Sequence, residues 1–481
     1  MKQSWMRFLA LVLLIVLPIV IVGAAGFLIP AQFEKTFLGE FDDKVDRLYE
    51  TEGEKVVVIG GSSAAFGVDA ERLTALLGRP VINFGLYATL GTKTMLDFSR
   101  DAIGAGDIIV IAPEMNAQTW SLYFNAEAMW QAVDGHYPLL THIGDDDIPA
   151  MLGGFWRFAA SKLGYLCSKA GAPDPAGIYH ADAFDDYGFI KNRRDRDYNV
   201  MAGGVDLSMP IDFDTAMISE DFIAYVNDYV AYAREKGAEV YLSFCPMNEL
   251  ALPADITLET LEQYVAYLRE RFDCEVLGDP NNMIYLSGYF YDSNFHLNSV
   301  GASVHTTQLA IDLAPLCGVM GEIVRDDPEP PEIREEDEPE VYEYDENEKF
   351  FTFEVTDFGV YITGVSELGK TQESLTTPVA YDGKKVVSFK ADAFAGCDAL
   401  RVLYVTDNIA QIPDGTFRGA SNLGEIHVLA DNPDKTTVNN LSMMATDGLP
   451  SHARFYVPKA SLTEYRTNYF WGPYADLIVG E

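Results

Sequence analysis

The stretch Val56-Val-Val-Ile-Gly-Gly-Ser-Ser-Ala-Ala-Phe-Gly67 constrains this chain more than any other. An apolar strand there runs straight into small residues that carry two adjacent serines, and nothing bulky shields a hydroxyl. The carboxyl end of a parallel strand is where open α/β sheets hold their ligands, which makes Ser63 a candidate nucleophile. A glycine-serine turn that merely ends a strand has the same spelling, so the stretch alone weighs the two readings evenly.

The flanking segments decide the fold class. Strands are expected at 55–59, 80–84 and 107–112, with helices near 70–77 and 92–102 between them. The pattern resumes with a helix near 221–236, a strand near 239–244, a helix near 258–272, a short strand near 275–277 and a last helix near 302–316. Alternation at this spacing predicts right-handed βαβ units, hence an α/β domain with a parallel sheet and helices on both faces. Residues 118–215, which hold Trp120, Trp130 and Trp156 among mixed polar stretches, are expected to form a helical insertion over the sheet's active edge. The 481 residues are too many for one ordinary domain, and two folded units are expected.

Phe8 to Ile29 is almost wholly apolar and follows Lys2 and Arg7. At about 1.5 Å per residue such a helix spans a bilayer core of about 30 Å. Length favours an uncleaved signal anchor over a signal peptide, although Ala24-Ala25-Gly26 spells a cleavage site. The basic residues before the run put the amino terminus in the cytoplasm and the rest outside, a single-pass protein of the cell membrane. Residues 1–30 are thus read as tip and anchor. Gln32 to Glu50, with Phe33, Phe37, Phe41, Val45 and Leu48 at helical spacing, is expected to be an amphipathic stalk helix on the first domain.

The net charge of −39 opposes nucleic acid as a partner. The five cysteines (Cys167, Cys245, Cys274, Cys317 and Cys397) form no CxxC pair, which argues against zinc or a disulfide framework. No cofactor or metal is expected. Residues 326–348 hold 13 acidic residues with several prolines, the composition of an extended, self-repelling linker.

Beyond the linker, over 349–481, an internal repeat emerges. Phe389 and Ile412, Phe394 and Phe417, Leu400 and Leu423, and Leu403 and Ile426 are each offset by 23. A period in this range marks a solenoid whose repeats stack to share a core, with Cys397 a buried counterpart of Ala420. The spelling resembles the BspA-type leucine-rich repeat of bacterial surface proteins, over roughly 355–478. Phe455-Tyr-Val-Pro-Lys through Tyr465 to Trp471 looks like the terminal cap of such arrays.

Residues from four places complete the chemistry of the first domain (31–320). Gly61-Ser-Ser63 with Gly67, Asn83-Phe-Gly85, Asn116, and Asp292 with His296 together resemble the SGNH, or GDSL-type, hydrolases. That resemblance implies a three-layer, flavodoxin-like parallel-sheet domain in which Ser63 attacks an acyl carbon and His296 takes its proton. It implies Gly85 N–H and Asn116 as oxyanion donors and Asp292 as the partner of the imidazole, with Asn294 or a carbonyl as alternatives. Ser62 stands where the motif has aspartate, Glu114 where it has glycine, and Asp292 precedes His296 by four residues rather than three. The arrangement is nearest to membrane-anchored relatives such as the D-alanyl transfer protein of the teichoic-acid system. An extracytoplasmic serine esterase or O-acyltransferase working on envelope glycan or teichoic acid is the expectation. The alternative is a non-catalytic surface adhesion or scaffolding protein whose repeats bind a protein or glycan.

Overall fold

The computed structural model describes residues 20–167, 172–175, 177–190, 199–207, 209–253, 256–331, 345–356, 359–413, 415–433, 435–438, 449–450, 452–468 and 471–481. Two compact units emerge: Phe33–Phe155 with Gly177–Glu338, and Met1–Gln32 with Trp156–Ala176 and Pro339–Glu481.

The first unit is built on a five-stranded sheet: β1 (Val56–Gly60), β2 (Val81–Gly85), β3 (Ile108–Ala112), β4 (Glu239–Leu242) and β5 (Glu275–Val276). The strand order is β2-β1-β3-β4-β5, and every neighbouring pair is parallel. β1, β2 and β3 are buried along their whole length, as continuous apolar runs require when helices cover both faces of a sheet. The chain steps from β1 to β2 on one side and then crosses to β3 on the other. The crevice at the carboxyl ends of β1 and β3 is therefore the topological switch point, where open α/β sheets bind ligands.

Helix α1 (Phe41–Glu50) follows a 3₁₀ turn at Phe37–Glu40, so the expected single helix over 32–50 starts later. Phe33, Phe37, Phe41, Val45 and Leu48 are all buried, and Lys44 is buried with them. The Lys44 ammonium donates to the carbonyls of Asn83 (3.1 Å) and Gly188 (2.6 Å), which ties α1 to the middle of β2. This segment is core of the first unit rather than a stalk beside it.

α2 (Ser62–Gly67) and α3 (Ala70–Leu77) come next, the latter capped by Asp69 and closed by left-handed Gly78. α4 (Thr92–Ser99) leads to β3. Among its described residues the inserted region holds two α-helices, α5 (Ala126–Ala132) and α6 (Ile148–Cys167), and its other described residues form short 3₁₀ turns and irregular chain. α7 (Glu220–Lys236), α8 (Leu258–Arg271) and α9 (Ser299–Leu313) resume the alternation. Between α8 and α9 a small antiparallel hairpin, β6 (Phe290–Ser293) and β7 (His296–Leu297), precedes the last helix.

The repeats form two mostly parallel sheets. One runs through Ser374–Thr376, Val402–Val405, Glu425–Val428, Arg454–Val457 and Ile478–Gly480; the other runs through Gly359–Val365, Lys384–Phe389, Gln411–Ile412 and Thr437–Val438. The offset of 23 is the register of one rung, Leu403 beside Ile426 and Ser388 beside Gln411. Flanking rungs are longer, since Leu375 pairs with Leu403 and Ile426 with Phe455. Inward side chains share one core, in which Phe394 and Phe417 lie 5.7 Å apart and Cys397 and Ala420 are both fully buried. Trp471 closes its end, with its indole N–H donating to the Thr436 carbonyl at 2.6 Å.

Residues 20–28 are helical. No helix among the described residues is long and apolar enough to cross a membrane, and residues 8–19 of the expected anchor lie outside them. Most of the acidic linker, 332–344, lies outside them too.

Candidate active site

β1 ends at Gly60, Gly61 turns the chain, and α2 begins at Ser62. Ser62 is therefore the first helical residue at the sheet's carboxyl edge. Its hydroxyl lies 2.8 Å from Nε2 of His296. The other imidazole nitrogen, Nδ1, lies 2.8 Å from Oδ1 of Asp292. Phe66, one turn along α2, stacks on the imidazole at 4.0 Å between centroids and 5° between planes. The ring is thus held by hydrogen bonds at both nitrogens and by packing on a face.

Ser63, the expected nucleophile, makes none of these contacts. One residue along a helix turns the side chain by about 100°, which carries Ser63 away from the histidine and into the protein. It is 1% exposed, and its hydroxyl has no partner among the described residues. It lines a cavity of about 10 Å³ with Ser243, Cys245, Pro246 and His305, room for about one water. His305 closes one side of that cavity, with Nδ1 3.1 Å from the Tyr285 hydroxyl. Burial, aided by the charge of Arg325, pushes its pKa down to about 4. The Cys245 thiol is pushed well up by burial.

Asp292 reaches His296 because of a bulge. Ser293 pairs with His296 and Phe290 with Leu297, so Tyr291 and Asp292 are extra residues on β6. A bulge of this kind re-aims a side chain, here a carboxylate onto an imidazole four residues on. Oδ2 of Asp292 accepts a hydrogen bond from the Tyr179 hydroxyl at 2.6 Å. Tyr179 comes from a 3₁₀ turn in the inserted region, whose irregular sequence offered no signal for it. Asn294, considered as an alternative orienter, points elsewhere: its amide donates to the carbonyls of Asp206 and Met209. Asn298 caps α9, and Asn248 caps a 3₁₀ turn.

Gly85 and Asn116 stand differently from one another. The Gly85 N–H donates to Oδ1 of Asn83 at 3.2 Å, so the donor expected for an oxyanion is already engaged. The glycine is required for another reason. A Cβ on it would lie 2.4 Å from Cβ of Ala64 and 2.8 Å from the Gly61 carbonyl. Asn116 lies four residues beyond β3. Its side-chain oxygen Oδ1 accepts from the N–H groups of Gln118 (3.1 Å) and Thr119 (3.2 Å), and its side-chain nitrogen Nδ2 has no acceptor among the described residues. The Ser62 N–H has none there either.

Glu114 explains the turn before Ser62. It is 2% exposed, and Oε1 accepts the Ser63 N–H at 3.0 Å. A Cβ on Gly61 would sit 2.4 Å from that oxygen. Glycine at 61 and glutamate at 114 are thus two halves of one contact.

No protein-family model matches the chain, and no curated protein matches it. Among solved structures, a leucine-rich repeat protein of T. pallidum is similar at 23% identity, over 25% of this chain and 46% of that one, with a TM-score of 0.15. The matched part is less than half of that protein's own length.

Proposed function

We propose that this chain is a membrane-anchored, extracytoplasmic serine esterase or O-acyltransferase acting on acyl groups of envelope glycan or teichoic acid. The observation that carries the reading is the relay from Ser62 through His296 to Asp292, with 2.8 Å at each step, at the switch point of a parallel sheet. A free hydroxyl is too weak a nucleophile at neutral pH and needs a base of this kind. Ser62 Oγ attacks the acyl carbon as Nε2 of His296 takes its proton, and Asp292 stabilises the imidazolium that results. Ser62 N–H and the Asn116 amide are the donors open to the oxyanion; a contact of this type is worth about 2.7–4 kcal/mol. The imidazolium then protonates the departing alcohol, and water or an acceptor hydroxyl releases the acyl group from Ser62.

With Ser62 as nucleophile, the SGNH-type motif shifts by one, and Gly61 takes the place of its aspartate. We read the second unit as a recognition module of the leucine-rich-repeat kind, binding a protein or glycan beside the substrate. The relay disfavours a purely adhesive protein, since a serine-histidine-carboxylate chain with its serine and histidine buried serves no adhesion.

A fluorophosphonate probe tests the reading. Labelling is expected for the wild type and for Ser63→Ala and to vanish in Ser62→Ala and His296→Ala. Equal labelling of wild type and Ser62→Ala would sink it.

A further inference from the structure

Helix α6 turns an apolar face outward. On a soluble protein the outer face of a surface helix is polar, because only the inner stripe leaves water. Here Met151, Phe158 and Lys162 form the buried stripe, at helical spacing. The opposite stripe runs through Pro149, Leu152, Trp156, Ala160 and Leu163. Leu152 is 66% exposed and Trp156 46%, with Ile148 (43%) and Leu166 (62%) at the two ends. Single exposed leucines are ordinary, but a contiguous row is not.

Charge follows the same division. Over Ile148–Cys167 there is no acidic residue, in a chain that holds 73 of them, and Arg157 and Lys162 are its only charges. The Lys162 ammonium is buried and donates to the carbonyls of Gly26 (3.3 Å) and Ile29 (2.8 Å). Those carbonyls belong to the carboxyl end of the 20–28 helix, where a cation is favoured by unpaired carbonyls and by the helix dipole. Gly23 of the same helix faces the Trp156 indole, with a Cβ there falling 3.4 Å from the ring. The 20–28 helix is itself apolar and outward-facing: Val20, Ile21, Phe27 and Leu28 are 49–80% exposed. It continues the apolar run that begins at Phe8.

We propose that α6 is an in-plane membrane helix, its Leu152–Trp156 face seated in the lipid interface beside the amino-terminal segment. The occupant of this face is the bilayer. Three observations select it over a protein partner: the apolar row adjoins the exposed apolar 20–28 helix, which in the sequence ends an apolar run of bilayer-spanning length, the lysine joining the two helices sits where that run ends, and the outer face holds no acid that lipid headgroups would repel. Helices of this kind bury their apolar side about 5–10 Å into the headgroup and acyl boundary. The proposal shares with the proposed function the premise of a membrane anchor, and the experiment separates the two.

The full-length protein is reconstituted into phosphatidylcholine and phosphatidylglycerol vesicles with a bimane label at Leu152→Cys, Leu166→Cys, Phe27→Cys or, as the aqueous reference, Glu235→Cys, and the unsubstituted chain reports labelling of native thiols. Brominated acyl chains are expected to quench the labels at 152, 166 and 27 while leaving that at 235 bright. Quenching at 27 with 152 and 166 as bright as 235 overturns the in-plane helix and leaves the anchor standing. If 27, 152 and 166 all stay bright, anchor and helix both fall. Quenching at 152 and 166 alone supports the helix without the anchor. Fluorophosphonate labelling of Ser62 in each variant checks that the first unit is folded.

Discussion

At the scale of single residues, the serine that matters is chosen by direction. Ser62 and Ser63 are chemically identical neighbours, and either satisfies the requirement for a small, unshielded nucleophile after a strand. Only the helix that starts at Ser62 sends one hydroxyl to His296 and the other into the interior. Tyr179 is the residue whose effect is most specific. Its phenol donates to Oδ2 of Asp292 while Oδ1 faces Nδ1 of His296, so Tyr179→Phe frees the carboxylate to rotate and loosens its hold on the imidazole. The rate of fluorophosphonate labelling at Ser62 is expected to fall about 10-fold, the scale of one hydrogen bond lost from a charged group. The ring still packs near Phe37 and Phe66 in that variant, which separates this from loss of structure. Stopped-flow labelling with the probe at one pH measures it. A Tyr179→Phe rate equal to that of the wild type would leave the phenol without a role in the relay.

At the scale of elements, close approach decides which glycines matter. The turn between β1 and α2 has room for Gly61 only because Glu114 fills the space a side chain would take. Gly61→Ala is expected to destabilise the first unit by about 1–3 kcal/mol, the usual cost of overpacking. Because the clash is with Glu114, the loss should not add to that of Glu114→Ala; a double-mutant cycle in chemical denaturation reads the coupling. α9 carries a pH dependence of its own. His305 is held neutral in the folded state, at about 4 against an ordinary 6.5. The unfolded chain therefore binds the extra proton between those values. Its contribution is complete above pH 6.5 and is lost as the pH falls toward 4, about 3 kcal/mol at the limit. Melting temperatures from pH 7 to pH 4.5 should fall less steeply for His305→Gln than for the wild type.

At the scale of the whole molecule, the two units keep separate cores. Ile426 lies in the core of the repeats, wholly buried between Leu403 and Phe455. Ile426→Ala is expected to destabilise that unit by about 2–5 kcal/mol. Ser62 labelling should stay at the wild-type level in the same sample, because the relay belongs to the other unit. Circular dichroism melting with parallel probe labelling checks both halves of the expectation.

What the sequence determined by itself is what depends on neighbours in the chain. Buried strands read as apolar runs, the alternation of strands and helices followed from spacing, and the 23-residue offset between Leu403 and Ile426 is the register of one rung. His296 and Asp292 stand out because they lie in a polar cluster that opens the last helix of the first domain, in a chain with only seven histidines. The tertiary structure alone decided the rest. The bond from Ser62 to His296 joins residues 234 apart. The bulge that turns Asp292, the Asn83 oxygen that engages the Gly85 N–H, and the arrival of Tyr179 from an irregular insertion have no local periodicity to announce them. Burial leaves a repeating mark on the chain, whereas the direction of a single side chain is set by what it meets in space.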